Sequence, residues 1–190
     1  MTAEYRYPVE VLHLLVSPAH AYFGRAREGA ADVPTTDAEQ AELVTGKGIV
    51  GDRFFGKAAH MDAAVTLFAV EALESMADEL GVGPLDPLLT RRNVVIRGAE
   101  LAPLLGHEFV IESGKDSVRL KAGRAAHPCA WMDQVLAPGA HKAMRGRGGI
   151  RCQVISGGML HRGPAVLVST VPLEPASAGE ATVLRPSRLP

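Results

Sequence analysis

Apolar residues are spaced along this chain mostly as strands need them. Residues 8–16, Pro-Val-Glu-Val-Leu-His-Leu-Leu-Val, supply apolar side chains to two faces and predict a first strand. Residues 17–47 break that pattern with Pro18, Gly24, Gly29 and Pro34 among charged residues and alanines. They predict a long surface excursion, and a loop of that length in a compact domain is more often functional than idle. After the glycine-punctuated segment 48–57, Ala63–Phe68 predicts a short strand. Helical spacing then aligns Ala69, Leu73, Met76 and Leu80, with Gly81 where a helix end favours glycine.

Beyond Pro84 and Pro87, which forbid continuation of the helix, Asn93–Ile96 predicts a buried strand. His107–Ile111 and Ser117–Leu120, joined through Gly114, predict a hairpin. Short helices are expected over 130–136 and 139–144, and strands over 150–155 and 165–170. About seven short strands with two or three helices make a mainly β (α+β) chain, for which a closed or nearly closed barrel is the expected solution. One domain over 1–171 is expected, with a loosely held, Pro-, Ala- and Ser-rich tail over 172–190.

Composition narrows the function classes. With 47% hydrophobic and 22% charged residues the chain reads as globular, and a net charge of −1 offers nothing to nucleic acid or to an anionic membrane surface. No apolar run reaches the ~20 residues that span a bilayer. The amino-terminal residues lack a cleavable signal pattern, so a cytoplasmic location is expected. Two cysteines are too few for a disulfide framework.

Those two cysteines differ in setting. Cys152 alternates with Ile150 and Val154, on the face opposite Arg151 and Gln153, and reads as a small buried hydrophobe. Cys129 follows Pro128 at a loop-to-helix transition, with Arg124 and His127 nearby. Free backbone N–H groups and positive charge there favour a thiolate, which is both a nucleophile and a soft metal ligand. A buried loop cysteine is the other reading of the same residues.

Arg145-Gly146-Arg147-Gly148-Gly149 joins two guanidiniums to glycines that let backbone N–H groups approach an anion. A solvated turn is the alternative, and a single short copy argues against an RNA-binding segment. Arg91-Arg92-Asn93 stands at the start of a strand, where side chains reach clefts or simply meet solvent. Asp52-Arg53 is an ion pair of a turn or another element of a cleft. No HExxH and no paired CxxC occurs, so a structural zinc site is unsupported. His20, His60 and His127 lie in irregular segments and are the candidates for proton transfer.

Together these pieces resemble a known family. Gly48-Ile49-Val50-Gly51-Asp52-Arg53-Phe54-Phe55, Thr90-Arg91-Arg92-Asn93, Pro128-Cys129 and Arg145-Gly146-Arg147-Gly148-Gly149 occur in the order seen in the MOSC domain, the carboxy-terminal domain of molybdenum cofactor sulfurases, which also exists as small stand-alone proteins. The resemblance runs from about Val9 to Val168, and Ser17-Pro18-Ala19-His20 with Phe23-Gly24 looks like a stand-alone branch. It implies a MOSC-type β-barrel with a few short helices. It also implies that Cys129 carries a persulfide or ligates molybdenum, while Arg53, Arg91, Arg92, Asn93, Arg145, Arg147, Gly148 and Gly149 hold the phosphate of a molybdenum cofactor or another anion.

Three functions follow from the resemblance. The first is sulfur transfer, C–S cleavage or sulfur delivery through Cys129. The second is a molybdenum-cofactor oxidoreductase acting on N-hydroxylated compounds. The third is a non-enzymatic cofactor-binding module. The implied partners are a small-molecule sulfur donor or substrate and a sulfur- or electron-donating protein, with an oligomer left open. One departure from the family is Gly163-Pro164, where many relatives have Gly-Asp.

Overall fold

The computed structural model describes residues 4–182. The first strand, β1, runs from Tyr5 to Val16. Two short pieces, β2 (Thr36–Asp37) and β3 (Gln40–Val44), lie inside the stretch expected as an unbroken excursion. The excursion is therefore shorter, 17–35. The alternation Gln40-Ala41-Glu42-Leu43 was its only strand signal, because Ala41 and Leu43 alone are buried.

The next elements are β4 (Gly48–Ile49), β5 (Val65–Ala69) and helix α1 (Val70–Leu80). Gly81 ends the helix in the left-handed conformation, as its position predicts. They are followed by β6 (Val94–Arg97) and the hairpin of β7 (Glu108–Ser113) and β8 (Asp116–Ala125). Two short helices, α2 (Trp131–Val135) and α3 (Ala140–Ala143), lead into β9 (Ile150–Ser156), β10 (Gly158–His161) and β11 (Gly163–Ser169).

Seven strands close into a barrel in the order β1-β11-β7-β8-β9-β5-β6, with β6 pairing back onto β1. All pairs are antiparallel except β5–β6, where α1 provides the crossover that a parallel pair requires. A three-stranded sheet, β10-β3-β4, adds Ala41, Leu43, Ile49 and Leu160 to the barrel core.

Strand β5 shows how the layers are built. Its five residues Val65-Thr66-Leu67-Phe68-Ala69 are all buried. Val65, Leu67 and Ala69 face the barrel core, while Phe68 and, from β6, Val95 face a second apolar cluster made by α1, α2 and α3. A strand covered on both faces loses its polar alternation. Thr66 is the polar exception, and it marks the place on the outer barrel wall where the helices give way to a cleft.

The carboxy-terminal expectation needs correction over its first part. Leu173 and Ala178 pack into the barrel core, and Tyr7 Oη accepts a hydrogen bond from Leu173 N (2.7 Å). Thr182 N donates to Gly146 O. Two apolar residues in a polar stretch suffice to dock it. Residues 183–190 lie outside the described residues.

Candidate functional site

The cleft on the outer wall has a volume of about 210 Å³. Its floor is Thr66 of β5 and Arg151 of β9, which stand opposite one another in register. The excursion contributes His20, Ala21 and Tyr22, and the turn after β4 contributes Arg53 and Phe54. Thr90, Arg91 and Arg92 enter from the segment before β6, and His127, Cys129 and Met132 from the segment around α2.

Cys129 is exposed in this cleft, whereas Cys152 is fully buried in the barrel core, where burial pushes its thiol well above the usual range. The alternation that separated the two in the sequence matches this placement.

Four guanidiniums face the cleft, and among the described residues no carboxylate lines it. Arg53 is the one with an acidic partner: its guanidinium donates to Asp52 Oδ2 (3.1 Å) and to Arg91 O (3.1 Å), and it lies 4.7 Å from the centre of the Phe54 ring. Asp52 is itself buried and accepts also from Phe54 N and Asn93 Nδ2.

Arg91 has φ +54°, the left-handed region, and is the single non-glycine residue there among those described. That backbone costs on the order of 1 kcal/mol. It is held by the guanidinium, which donates to Ser17 Oγ (2.8 Å), Ala19 O (2.9 Å) and Thr35 Oγ1 (3.1 Å). Arg91 thus fastens both ends of the excursion that carries His20 and Tyr22.

Arg92 is buried, with neutral partners only. Its guanidinium donates to Ala126 O (3.1 Å) and His127 O (3.3 Å), which positions the chain leading to Cys129. Its Nε–H is buried with no partner at all. Burial first, and Arg151 next, push this guanidinium down to about 10. It is still a cation at neutral pH. Burial also lowers Arg151, followed by the charge of Arg124.

The proton-transfer candidates separate. His20 reaches the cleft with its ring edge-on to Phe54, 5.1 Å between centroids. Burial, then Arg53 and Arg91, lower its affinity for a proton. His127 also lines the cleft. His60 does not: it packs at 4.6 Å from the Phe54 ring, and its Nδ1 is buried without a partner.

Asn93 is not in the cleft either. It is fully buried, accepts from Thr66 N and Oγ1 at Oδ1, and donates through Nδ2 to Leu15 O and Asp52 Oδ2. It ties β1, β5 and the Asp52 turn together below the arginines.

Arg145, Arg147, Gly148 and Gly149 likewise do not line the cleft that holds Cys129. Arg145 is exposed. Arg147 donates from Nε to Ala143 O (2.7 Å), from NH1 to Gly179 O (3.4 Å), and pairs with Glu79. A Cβ on Gly148 would stand 2.2 Å from Ala126 O, and one on Gly149, at φ +89°, would stand 2.1 Å from Leu67 O. These glycines let the backbone cross a strand at close range. With Arg147 they line a separate cavity of about 230 Å³, walled from the first by Ala126, His127 and Pro128.

Arg151, Tyr22 and Thr66 went unrecognised as site residues in the sequence. Alternation in Ile150-Arg151-Cys152 does aim Arg151 away from the core, but only the barrel's closure shows what lies outside it. Tyr22 stacks on Trp131 at 5.4 Å and packs under Arg91, contacts between segments far apart in the chain.

A β-barrel carrying an exposed thiol in an arginine-lined outer cleft defines the class of protein. A family model described as the MOSC domain matches residues 48–167, and the chain belongs to that family, which is linked to the molybdenum cofactor and to sulfur chemistry. The fold is similar to that of the YuaD protein from Bacillus subtilis, at TM-score 0.67 and 18% identity, covering 90% of this chain and 100% of that one. It is also similar to YiiM from Escherichia coli, at TM-score 0.56 and 19% identity, covering 93% of this chain and 75% of that one. YiiM from Geobacillus stearothermophilus follows at TM-score 0.57 and 17% identity, covering 84% and 75%. No curated protein matches the sequence.

Proposed function

We propose that this protein is an enzyme or carrier that takes up sulfur on Cys129 as a persulfide. The observation that carries the reading is an exposed thiol in a cleft lined by four guanidiniums, of which Arg53 alone has a carboxylate partner, the buried Asp52. A thiolate is the nucleophile in sulfur exchange. Attack on the outer sulfur of a donor persulfide forms the Cys129 S–S bond, breaks the donor S–S bond, and releases the donor as its thiolate. Arg92 positions the 126–127 backbone leading to Cys129, and Arg53 and Arg91 add positive charge on the anionic sulfur's side of the cleft. His127 and His20, both in the cleft, are the groups placed to accept or return a proton, and Tyr22, Phe54 and Met132 exclude water.

The same residues fit a molybdenum cofactor. The thiol of Cys129 suits a soft metal, and Arg91, Arg92 and Arg151 suit a phosphate. Among the described residues no group of three or more His, Cys, Asp or Glu side chains gathers as a metal site, so the protein offers that metal the one thiol. When bound, the cofactor would supply redox chemistry at the thiol end of the cleft.

The decisive experiment is intact-mass and peptide analysis after exposure to an alkyl persulfide. One added sulfur on Cys129, lost in Cys129→Ser, is expected. Unchanged mass under this donor, or sulfur found on other residues, defeats the reading; metal analysis of protein from a cofactor-competent host tests the second.

A further inference from the structure

The charge of the cleft indicates which donor it would accept. Of its four guanidiniums, Arg53 is balanced by Asp52 at 3.1 Å. Arg91 and Arg92 spend their hydrogen bonds on neutral hydroxyl and carbonyl oxygens, and among the described residues Arg151 makes no side-chain hydrogen bond. Three positive charges are left without a carboxylate, and a Cys129 thiolate balances one. Two remain, which is the charge of a dianion.

The hydrogen-bonding state agrees. The Nε–H of Arg92 is buried and unpartnered among the described residues, in a residue only 9% exposed. A buried donor without an acceptor is costly, and an oxyanion is the acceptor that a guanidinium edge recognises best. Arg151 stands on the same floor, and Tyr22, Phe54 and Met132 supply an apolar wall that strengthens charge interactions by excluding water.

Building on the sulfur-uptake reading above, we infer that the cleft selects a small dianionic donor, an oxyanion bearing a terminal sulfane sulfur, with Arg92 and Arg151 as the cradle for its oxygen end. Thiosulfate is the simplest member of that class. The Cys129 thiolate attacks the outer sulfur. A new S–S bond forms to Cys129, the bond between the two donor sulfurs breaks, and its electron pair leaves on sulfite. Total charge is minus three on each side, the thiol proton has gone to solvent beforehand, and no outside oxidant or reductant is needed. Arg92 and Arg151 keep their hydrogen bonds to the oxygens throughout, so they also hold the departing sulfite.

The test treats the whole protein with sodium thiosulfate and, in parallel, with the persulfide of cysteamine, which has no net charge. The expected result is one sulfur on Cys129, one sulfite released for each, and inhibition of the thiosulfate reaction by sulfate. Arg151→Ala should raise the half-saturating thiosulfate concentration about tenfold, the effect of losing a charge-assisted hydrogen bond. Charging by cysteamine persulfide, which brings no oxyanion to the cradle, should shift less than charging by thiosulfate. Arg151 makes no side-chain hydrogen bond or ion pair among the described residues, so this variant is expected to fold. Charging by cysteamine persulfide but not by thiosulfate overturns this inference and leaves sulfur uptake standing. Charging by neither overturns both. Equal thiosulfate dependence in Arg151→Ala and the parent overturns the cradle.

Discussion

Arg92 and Arg147 line two different cavities that share His127, and both come from arginine-rich stretches that suggest anion binding. Arg147 has a partner for each of its three nitrogens in Ala143 O, Gly179 O and Glu79, and its neighbouring glycines allow a backbone crossing. Arg92 is more deeply buried, yet its charge meets no carboxylate and its Nε–H meets nothing. The difference teaches that partners, rather than the presence of arginine or its burial, separate a structural guanidinium from one free for a ligand. A satisfied cation holds the fold, and an unsatisfied one has a binding capacity left over.

Three perturbations sharpen that comparison. The largest effect belongs to the structural side. Gly149→Ala forces a left-handed backbone on alanine and drives its Cβ into Leu67 O, so denaturant unfolding should show a loss of about 3–5 kcal/mol. A loss under 1 kcal/mol would mean that the crossing is looser than described.

Arg147→Ala comes next. It removes two hydrogen bonds to carbonyls and a half-exposed ion pair, and should cost about 1–2 kcal/mol of stability. Sulfur uptake by Cys129 should keep its donor dependence, measured as a half-saturating concentration. A shift there like that expected of Arg151→Ala would erase the distinction between the two sides.

The smallest effect is a titration. His20 is held neutral to lower pH than an ordinary imidazole by burial, with Arg53 and Arg91 adding repulsion to its cation. Removing one of those charges in Arg91→Ala should move its proton affinity upward, toward the ordinary value, in an NMR pH titration. A downward shift, or none, would show that the Arg91 charge does not reach the ring. Any uptake step that needs neutral His20 as a base would correspondingly fail at a higher pH in the variant.

The segments that were legible share one property. Helix α1, the β7–β8 hairpin and β9 each carry their own periodicity, and Gly81 and Gly114 mark ends that local backbone geometry demands. Strands β2, β4 and β10 are two to four residues long and have too few positions for a period to show. Their pairing partners decide them. In the candidate site, Cys129, His20, His127, Arg53, Arg91 and Arg92 were legible as unusual residues in irregular segments, and the structure gathers them in one cleft. His60, Asn93, Arg145, Arg147, Gly148 and Gly149 carried the same local signal and lie elsewhere.

The sequence by itself determined a mainly β chain, the separation of Cys129 from Cys152, and the ordered motifs of a MOSC domain. Alternation, helical spacing and chain order are local or linear properties, and they survive without coordinates. Tertiary structure decided which arginines share a space and which of them lack a counter-charge. Those facts depend on β5 pairing with β9, which sets Thr66 opposite Arg151, and on the 17–35 excursion folding back so that Tyr22 lines the same cleft. Charge balance is a property of a volume, and a linear chain does not define that volume until it folds.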